Sequence, residues 1–360
     1  MKVLHVITSL HTGGAEKLMA DLLPRFRQEG MEVDLLLFDG ADTPFKRQLL
    51  AAGVRIYELG QTGCVYNPLH ILRLIPYLKK YDVVHTHNTA PQLFAAVASL
   101  FVAIRLVTTE HSTLNRRRAW KWFRWVDRWM YGRYARIICI SDKAETNLRR
   151  HLALPQDDSI CTICNGIDVA RFACAAPCGV LKSEGADLVA VMMVAGFRYQ
   201  KDQDTVIRAM SLLPERFHLY LVGDGERREE CEKLCRERKV ADRVHFLGIR
   251  TDIPELLKSA DVVVMSSHLE GFGLAAVEGM AAGKPVVASD VDGLREVVMG
   301  AGLLFEKGNC TRLAETIESL IHNRDLYCHV VSKCEARASE YDISKMVHGY
   351  RLVYESVARV

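Results

Sequence analysis

The sequence predicts an α/β protein built from two doubly wound, Rossmann-like domains. Three observations carry that expectation. Strand-like runs alternate with helix-like runs from one end of the chain to the other, the pattern of parallel strands joined by crossover helices. The rhythm stops once, over 165–187, where Pro177, Gly179 and Gly185 punctuate a stretch without strong period, and this is the expected hinge. Finally, 360 residues exceed what one hydrophobic core usually supports.

Taken in order, Val3–Thr8 is a short apolar run broken by His5 that leads into Gly13-Gly14. No small-residue cleavage site follows, so it reads as a first strand and not as an export signal. Strands are then expected at Val33–Phe38, Val54–Glu58, Val83–Thr86, Arg105–Thr109 and Ile137–Ile140, with helices between them such as Ala15–Gln28 and Pro91–Phe101. After the hinge come Leu188–Ala195, His218–Val222, Val244–Leu247, Val262–Met265, Val286–Ala288 and Leu303–Phe305. The last segment, Ile343–Ala358, carries Met346, Tyr350, Val353, Tyr354 and Val357 at helical spacing, which leaves its resting place open. Ligands of open α/β sheets sit at the carboxyl ends of the strands, so both domains are expected to turn their loops toward a shared cleft.

Composition excludes several classes. Apolar residues make up 49% and charged residues 25%, an ordinary globular mix, and a net charge of +3 is too near balance for a surface devoted to nucleic acid. The longest apolar window, Leu93–Ile104, falls short of the roughly 20 residues that span a bilayer. Eleven scattered cysteines, an odd number, point to reduced thiols and a cytoplasmic setting. Cys161 with Cys164, Cys174 with Cys178, and Cys231 with Cys235 are the close pairs. A zinc reading fits them poorly: the first pair lies in a strand-like run, where residues three apart face opposite sides, and the last in a charged helical pattern.

The most informative stretch runs from Ser266 to Glu278, where two carboxylates, Glu270 and Glu278, are separated by seven intervening residues across a glycine-bracketed bend. Glu270 would leave the end of a strand, Gly271 and Gly273 would make a tight turn, and Glu278 would sit early in a helix. A helix start offers unpaired N–H groups and a positive dipole end to an anion, and glycine lets a phosphate approach the main chain. A carboxylate about one turn further in suits a vicinal diol such as a ribose.

With these residues in view, the chain resembles the family 4 retaining glycosyltransferases, which have the GT-B fold. The resemblance spans essentially the whole chain. It rests on Gly13-Gly14-Ala15-Glu16, Asn165-Gly166-Ile167-Asp168, Gln200-Lys201-Asp202, Val222-Gly223-Asp224-Gly225, Phe246-Leu247-Gly248, and the Glu270 to Glu278 pair followed by Ala282–Ala288. It implies an N-terminal acceptor-binding domain over 1–170, completed by a C-terminal helix at 341–360 that crosses back to it, and a nucleotide-sugar domain over 171–340. By position, Glu278 would bind the donor ribose and Glu270 would lie beside the donor sugar and its phosphates. Gly271, Phe272, Gly273 and Leu274 would cradle the diphosphate through backbone N–H groups. Gly14 and Leu247 fall at further donor-contact positions, the latter where backbone groups read the base. Arg198 and Lys201 resemble the basic pair that neutralises the leaving group, although the family commonly places its arginine where this chain has Gly196. The resemblance also puts His111 near the sugar and the acceptor hydroxyl, while His85 and His87, on the preceding strand, are expected to be structural.

What the resemblance implies is a retaining transfer from a nucleotide-diphosphate sugar, with UDP the commonest carrier, to a saccharide or lipid-linked saccharide in surface polysaccharide or lipopolysaccharide synthesis, without a bound metal or other cofactor. Fixed cations would stabilise the charge shed onto the leaving diphosphate more in the transition state than in the ground state. Two carboxylates invite comparison with the double displacement of retaining glycosidases. A Glu278 occupied by ribose cannot attack the anomeric carbon, so front-face attack assisted by a leaving-group oxygen is the expected route.

All four tryptophans fall within Trp120–Trp129, just after three consecutive arginines. Cations interleaved with indole rings suit a membrane surface of anionic headgroups, which would make 116–133 a peripheral contact. The same spacing also fits a core stripe of Trp122, Trp125 and Trp129, and both readings stay open. Rival functions are an epimerase of the same fold, a sensing protein that binds without turnover, and a nicotinamide dehydrogenase. The loop Ser9–Gly14 lacks the Gly-x-Gly-x-x-Gly order that the dehydrogenase needs.

Overall fold

The computed structural model describes residues 1–11, 13–60, 65–111, 123–155, 158–181 and 187–358. Its contacts divide the chain into two compact units, one of 1–166 with 343–360 and one of 167–342.

In the N-terminal unit, strands β1 (Lys2–Ile7), β2 (Glu32–Leu37), β3 (Arg55–Glu58), β4 (Val83–His87), β5 (Arg105–Glu110), β6 (Arg136–Cys139) and β7 (Ile160–Thr162) alternate with helices. These are α1 (Gly14–Gln28), α2 (Pro44–Ala51), α3 (Leu69–Leu78), α4 (Thr89–Ala98), α5 (Phe123–Tyr131) and α6 (Asp142–Leu152). The strands form one parallel sheet in the order β3-β2-β1-β4-β5-β6-β7. The pairing of β1 with β4 sets His5 beside His85, and that of β4 with β5 sets His87 beside Thr109. Strands buried on both faces read as near-continuous apolar runs, as β1 and β2 do. Side-chain caps start helices where the sequence turns polar: the Ser141 hydroxyl accepts from the N–H of Ala144 at the head of α6.

The C-terminal unit repeats the scheme with β8 (Val189–Val194), β9 (Phe217–Val222), β10 (Val244–Gly248), β11 (Val262–Met265), β12 (Val286–Ser289) and β13 (Leu303–Phe305). Its helices are α7 (Val169–Ala173), α8 (Gln203–Met210), α9 (Arg228–Glu237), α10 (Ile253–Ser259), α11 (Leu274–Ala281), α12 (Leu294–Val298), α13 (Cys310–His322) and α14 (Arg324–Glu340). The parallel sheet runs β10-β9-β8-β11-β12-β13. Close packing of α11 on β11 needs Gly279, where a Cβ would come within 2.9 Å of Val263.

Part of the expected hinge is not a free connector. Helix α7 buries Phe172 and packs on α10 and α11, Leu181 is buried, and the Cys178 N–H donates to the Ser259 hydroxyl. The apolar residues of this stretch found a core to enter, which its lack of period had hidden.

The last helix, α15 (Ile343–Ala358), belongs to the N-terminal unit. Met346, Val347, Tyr350, Tyr354 and Val357 are buried in that unit's core with Phe26 and Leu22, so the apolar face seen in the periodicity lies against this sheet. No described helix is long and apolar enough to cross a membrane.

Candidate active site

The sheet of the C-terminal unit reverses direction of growth between β8 and β11, with β9 and β10 on one side and β12 and β13 on the other. In doubly wound sheets ligands lie at such a switch point, beyond the carboxyl ends of the strands. The loop after β8 carries Arg198 and Lys201, and the loop after β11 carries Ser266 to Gly273. They are laced together: the His268 N–H donates to the Gln200 carbonyl at 2.8 Å, and the Ser266 hydroxyl donates to the Asp202 carbonyl at 2.7 Å.

Lys201 and Glu270, 69 residues apart in sequence, meet here at 2.5 Å with Nζ donating to Oε2. Glu270 is held further by the Ser267 hydroxyl, 3.4 Å from Oε2, and by the Gly271 N–H, which donates to Oε1. Both carboxylate oxygens therefore already accept hydrogen bonds. Gly273 caps α11 at φ +95°, a left-handed conformation that favours glycine, where the Glu270 turn meets the start of the helix. Gly271 and Leu274 flank it half-buried, while Phe272 turns inward onto Tyr341, edge to face at 5.2 Å. The main chain around Phe272 is thereby fixed, and its side chain has a structural duty. Glu278, on the second turn of α11, is buried.

The remaining expected donor contacts are more dispersed. Arg198 is exposed and precedes a 3-10 turn, Tyr199–Lys201. Leu247 is half-buried on the edge strand β10 beside a register shift between Phe246 and Gly248. Gly14 opens α1 of the N-terminal unit with open space where a Cβ would stand, so packing alone does not demand glycine there.

Some contributors escaped the sequence reading. A Cβ at Gly293 would come within 2.6 Å of the Glu270 carbonyl, so the loop after β12 presses on the motif turn. Asp202, at φ +51°, caps α8 through Thr205 and lies 3.3 Å from His268 Nδ1. Burial raises the Asp202 carboxyl above its usual range, while Thr205 and His268 oppose that shift. An Asp-x-Asp run, Asp290-Val291-Asp292, follows β12, and Asp290 is paired with Arg295 at 2.5 Å. Asp202 could have been suspected from its place beside Lys201; Gly293 is recognisable only from the contact it permits.

In the N-terminal unit the sheet reverses between β1 and β4, and His111 follows the neighbouring strand β5. His111 Nε2 lies 3.0 Å from His87 Nδ1, and His87 Nε2 lies 3.0 Å from His5 Nδ1. Burial lowers His111 to about 4 and His5 to about 3, and holds His85 and His87 well below the ordinary imidazole range. His85 and His87, expected to be structural, are completely buried.

Cysteines do not gather for a metal: among the described residues the one grouping of three metal-ligating side chains is His5, His85 and His87. Burial pushes the Cys231 thiol to about 12 and Cys235 to about 11. Of the tryptophans, Trp120 and Trp122 lie outside the described residues. Trp125 is 76% and Trp129 42% exposed, while Asp127, Met130 and Tyr131 form the buried side of α5. The core-stripe reading therefore fails for both described tryptophans, because a buried Asp127–His151 contact at 2.8 Å turns that face inward instead.

Comparison with known proteins agrees with this construction. Residues 12–171 match the family model described as Glycosyltransferase Family 4, and residues 183–338 match that of Glycosyl transferases group 1. The chain is 28% identical to the Bacillus subtilis protein named "Putative glycosyltransferase EpsF", over 80% of this chain and 79% of that protein. It is 30% identical, over 47% of this chain and 45% of the other, to N,N'-diacetylbacillosaminyl-diphospho-undecaprenol alpha-1,3-N-acetylgalactosaminyltransferase of Campylobacter jejuni. The crystal structure of Anabaena Alr3699/HepE in complex with UDP-glucose superposes with a TM-score of 0.87 at 25% identity, covering 99% of this chain and all of that one. Each half of the chain thus matches its own family model and the whole chain matches one solved fold: it belongs to the family 4, group 1 glycosyltransferases, with the GT-B fold.

Proposed function

We propose that this glycosyltransferase moves a hexose or N-acetylhexosamine, with retention, from a UDP-sugar to a saccharide or lipid-linked saccharide during surface polysaccharide synthesis. The observation that carries the donor half of this reading is the Lys201–Glu270 pair at the switch point, next to the glycine-capped start of α11. An ammonium, a row of main-chain N–H groups and a helix dipole suit a diphosphate. Glu278 takes the ribose diol, and Leu247 and its neighbours take the base through the main chain. Arg198 joins Lys201 on the leaving group, in place of a divalent metal. The UDP-glucose in the Anabaena structure and the diphospho-undecaprenol acceptor in the Campylobacter protein's name support the donor and acceptor classes.

The mechanism follows from the charges. As the sugar–phosphate bond breaks, Lys201 exchanges Glu270 for the diphosphate oxygens, and Glu270 is freed to orient the sugar hydroxyls. A Glu270 occupied with the sugar hydroxyls is not free to attack the anomeric carbon, which favours front-face attack over a covalent sugar–enzyme intermediate. The acceptor proton passes to a leaving-group oxygen, and His111 acts on the sugar or the acceptor hydroxyl.

The exposed side of α5 supports a peripheral membrane contact at an anionic surface. Trp125, Val126 and Trp129 are exposed beside Arg124 and Arg128, and Arg133 ties the end of α5 to Ser99, next to exposed Leu100 and Phe101.

A panel of nucleotide-sugars tested for thermal stabilisation, followed by product analysis, checks the reading. Selective stabilisation by a UDP-sugar and glycosylated product only when acceptor is added are expected. An epimerised nucleotide-sugar from donor alone would favour the epimerase, and binding without any product the sensor.

A further inference from the structure

The buried polar groups of the N-terminal unit form a single hydrogen-bonded chain that leads to His111. From the inner end, the Tyr350 hydroxyl lies 3.0 Å from Thr109 Oγ1, which lies 2.8 Å from His85 Nε2. His85 Nδ1 lies 2.5 Å from the Tyr354 hydroxyl, which lies 3.3 Å from His5 Nε2. His5 Nδ1 meets His87 Nε2, and His87 Nδ1 meets His111 Nε2, both at 3.0 Å. Strand pairing and the one-turn spacing of Tyr350 and Tyr354 on α15 bring these groups into line.

Such a chain has few allowed states. Burial keeps the imidazoles neutral, so each has one N–H and one lone pair, and a ring that receives at one nitrogen must give at the other. Every hydroxyl in the line likewise has one hydrogen to give. The line holds seven hydrogens for six links, so one is left over. Either every link points toward His111 and the spare hydrogen sits on its outer nitrogen, or the spare hydrogen stays on one of the hydroxyls of Tyr350, Thr109 or Tyr354, each fully buried and with no further acceptor in the line. A buried donor without an acceptor costs more than an acceptor with an unfilled lone pair. The first arrangement wins.

We propose that Tyr350, Thr109, His85, Tyr354, His5 and His87 are positioning residues that set the tautomer of His111, so that it carries its proton on Nδ1 and offers an N–H donor, not a base, to its ligand. The same arrangement places the proton of His5, His85 and His87 on Nδ1 as well. For catalysis this deepens the reading of His111 given above and rests on it; the tautomers themselves do not. A hydrogen-bond donor fits an oxygen gaining negative charge or a sugar hydroxyl, and leaves the acceptor proton to the leaving phosphate oxygen.

Ring-nitrogen NMR of the full chain with labelled histidine tests this, since protonated and bare imidazole nitrogens have distinct shifts. All four histidines should show Nδ1–H and a bare Nε2 at pH 7. In His87→Leu or His87→Phe, whichever folds, His111 should lose its fixed tautomer and populate Nε2–H, the form favoured by a free imidazole. A wild-type spectrum with Nε2–H on any of the four, or an unchanged His111 in a folded His87 variant, would overturn the relay. So would a zinc titration that shifts His5, His85 and His87 together at stoichiometric metal, because a bound cation would take the lone pairs the chain uses. If the tautomers hold while His111→Ala keeps full turnover, the catalytic reading of His111 fails and the relay stands.

Discussion

Lys201 and Glu270 are the residues on which turnover is expected to hang. Removing one preorganised charge from a developing anion costs about 10²–10³ in rate, so Lys201→Ala should fall by that much in kcat, measured by product formation at saturating donor. Loss confined to KM would instead mark Lys201 as a binding residue. Glu270→Gln keeps the shape but loses the charge that pairs with Lys201, and its turnover should drop more than its UDP affinity. Glu278 is buried, so Glu278→Ala leaves a ribose diol without its acceptor and should weaken UDP binding by roughly 10-fold to 100-fold, about 1–3 kcal/mol. Calorimetry that finds unchanged affinity would remove Glu278 from the ribose. The types and spacing of these three residues were readable in the sequence. That Lys201 and Glu270 are bonded to each other was not, since the contact joins loops on two different strands.

At the scale of elements, β1, β4 and α15 share one liability. His5, His85 and His87 are held neutral far below the ordinary 6.5 of an imidazole. Once pH falls below about 6.5 the unfolded chain binds protons that the folded unit refuses, so the stability present above that pH is lost progressively toward the folded values. At pH 5 the cost is about 2 kcal/mol for each of the three. The Tm of this unit should therefore fall by about 10 °C or more between pH 7 and pH 5, followed by circular dichroism, and a flat Tm over that window would contradict neutral burial. Helix α5 carries a different expectation. Replacing exposed Trp125 and Trp129 together by serine should leave the fold intact and reduce sedimentation with vesicles containing anionic lipid. Equal binding of variant and wild type would separate α5 from any membrane contact. Periodicity foretold that α5 is amphipathic but not which side is buried, because a lone Asp127 that finds His151 outweighs the propensity of an indole to be inside.

For the whole molecule, the expected consequence of a donor site is linkage. UDP at a hundredfold excess over its Kd should add about 2.7 kcal/mol to the stability of the unit that binds it. A melting curve that does not move with UDP, UDP-glucose or UDP-N-acetylhexosamine would argue for another base. By itself the sequence determined the two wound halves, the position along the chain of nearly every strand and the Glu270–Glu278 turn, because those depend on local periodicity and on glycines whose conformational freedom is a property of the residue. Tertiary structure alone decided the rest: that Phe172 and Leu181 close a core, that Gly293 bears on Glu270, and that four histidines far apart in the chain share one hydrogen-bonded line. Those depend on pairings between distant residues, and a hydrogen bond or a buried contact between them has no signature in the sequence around either partner.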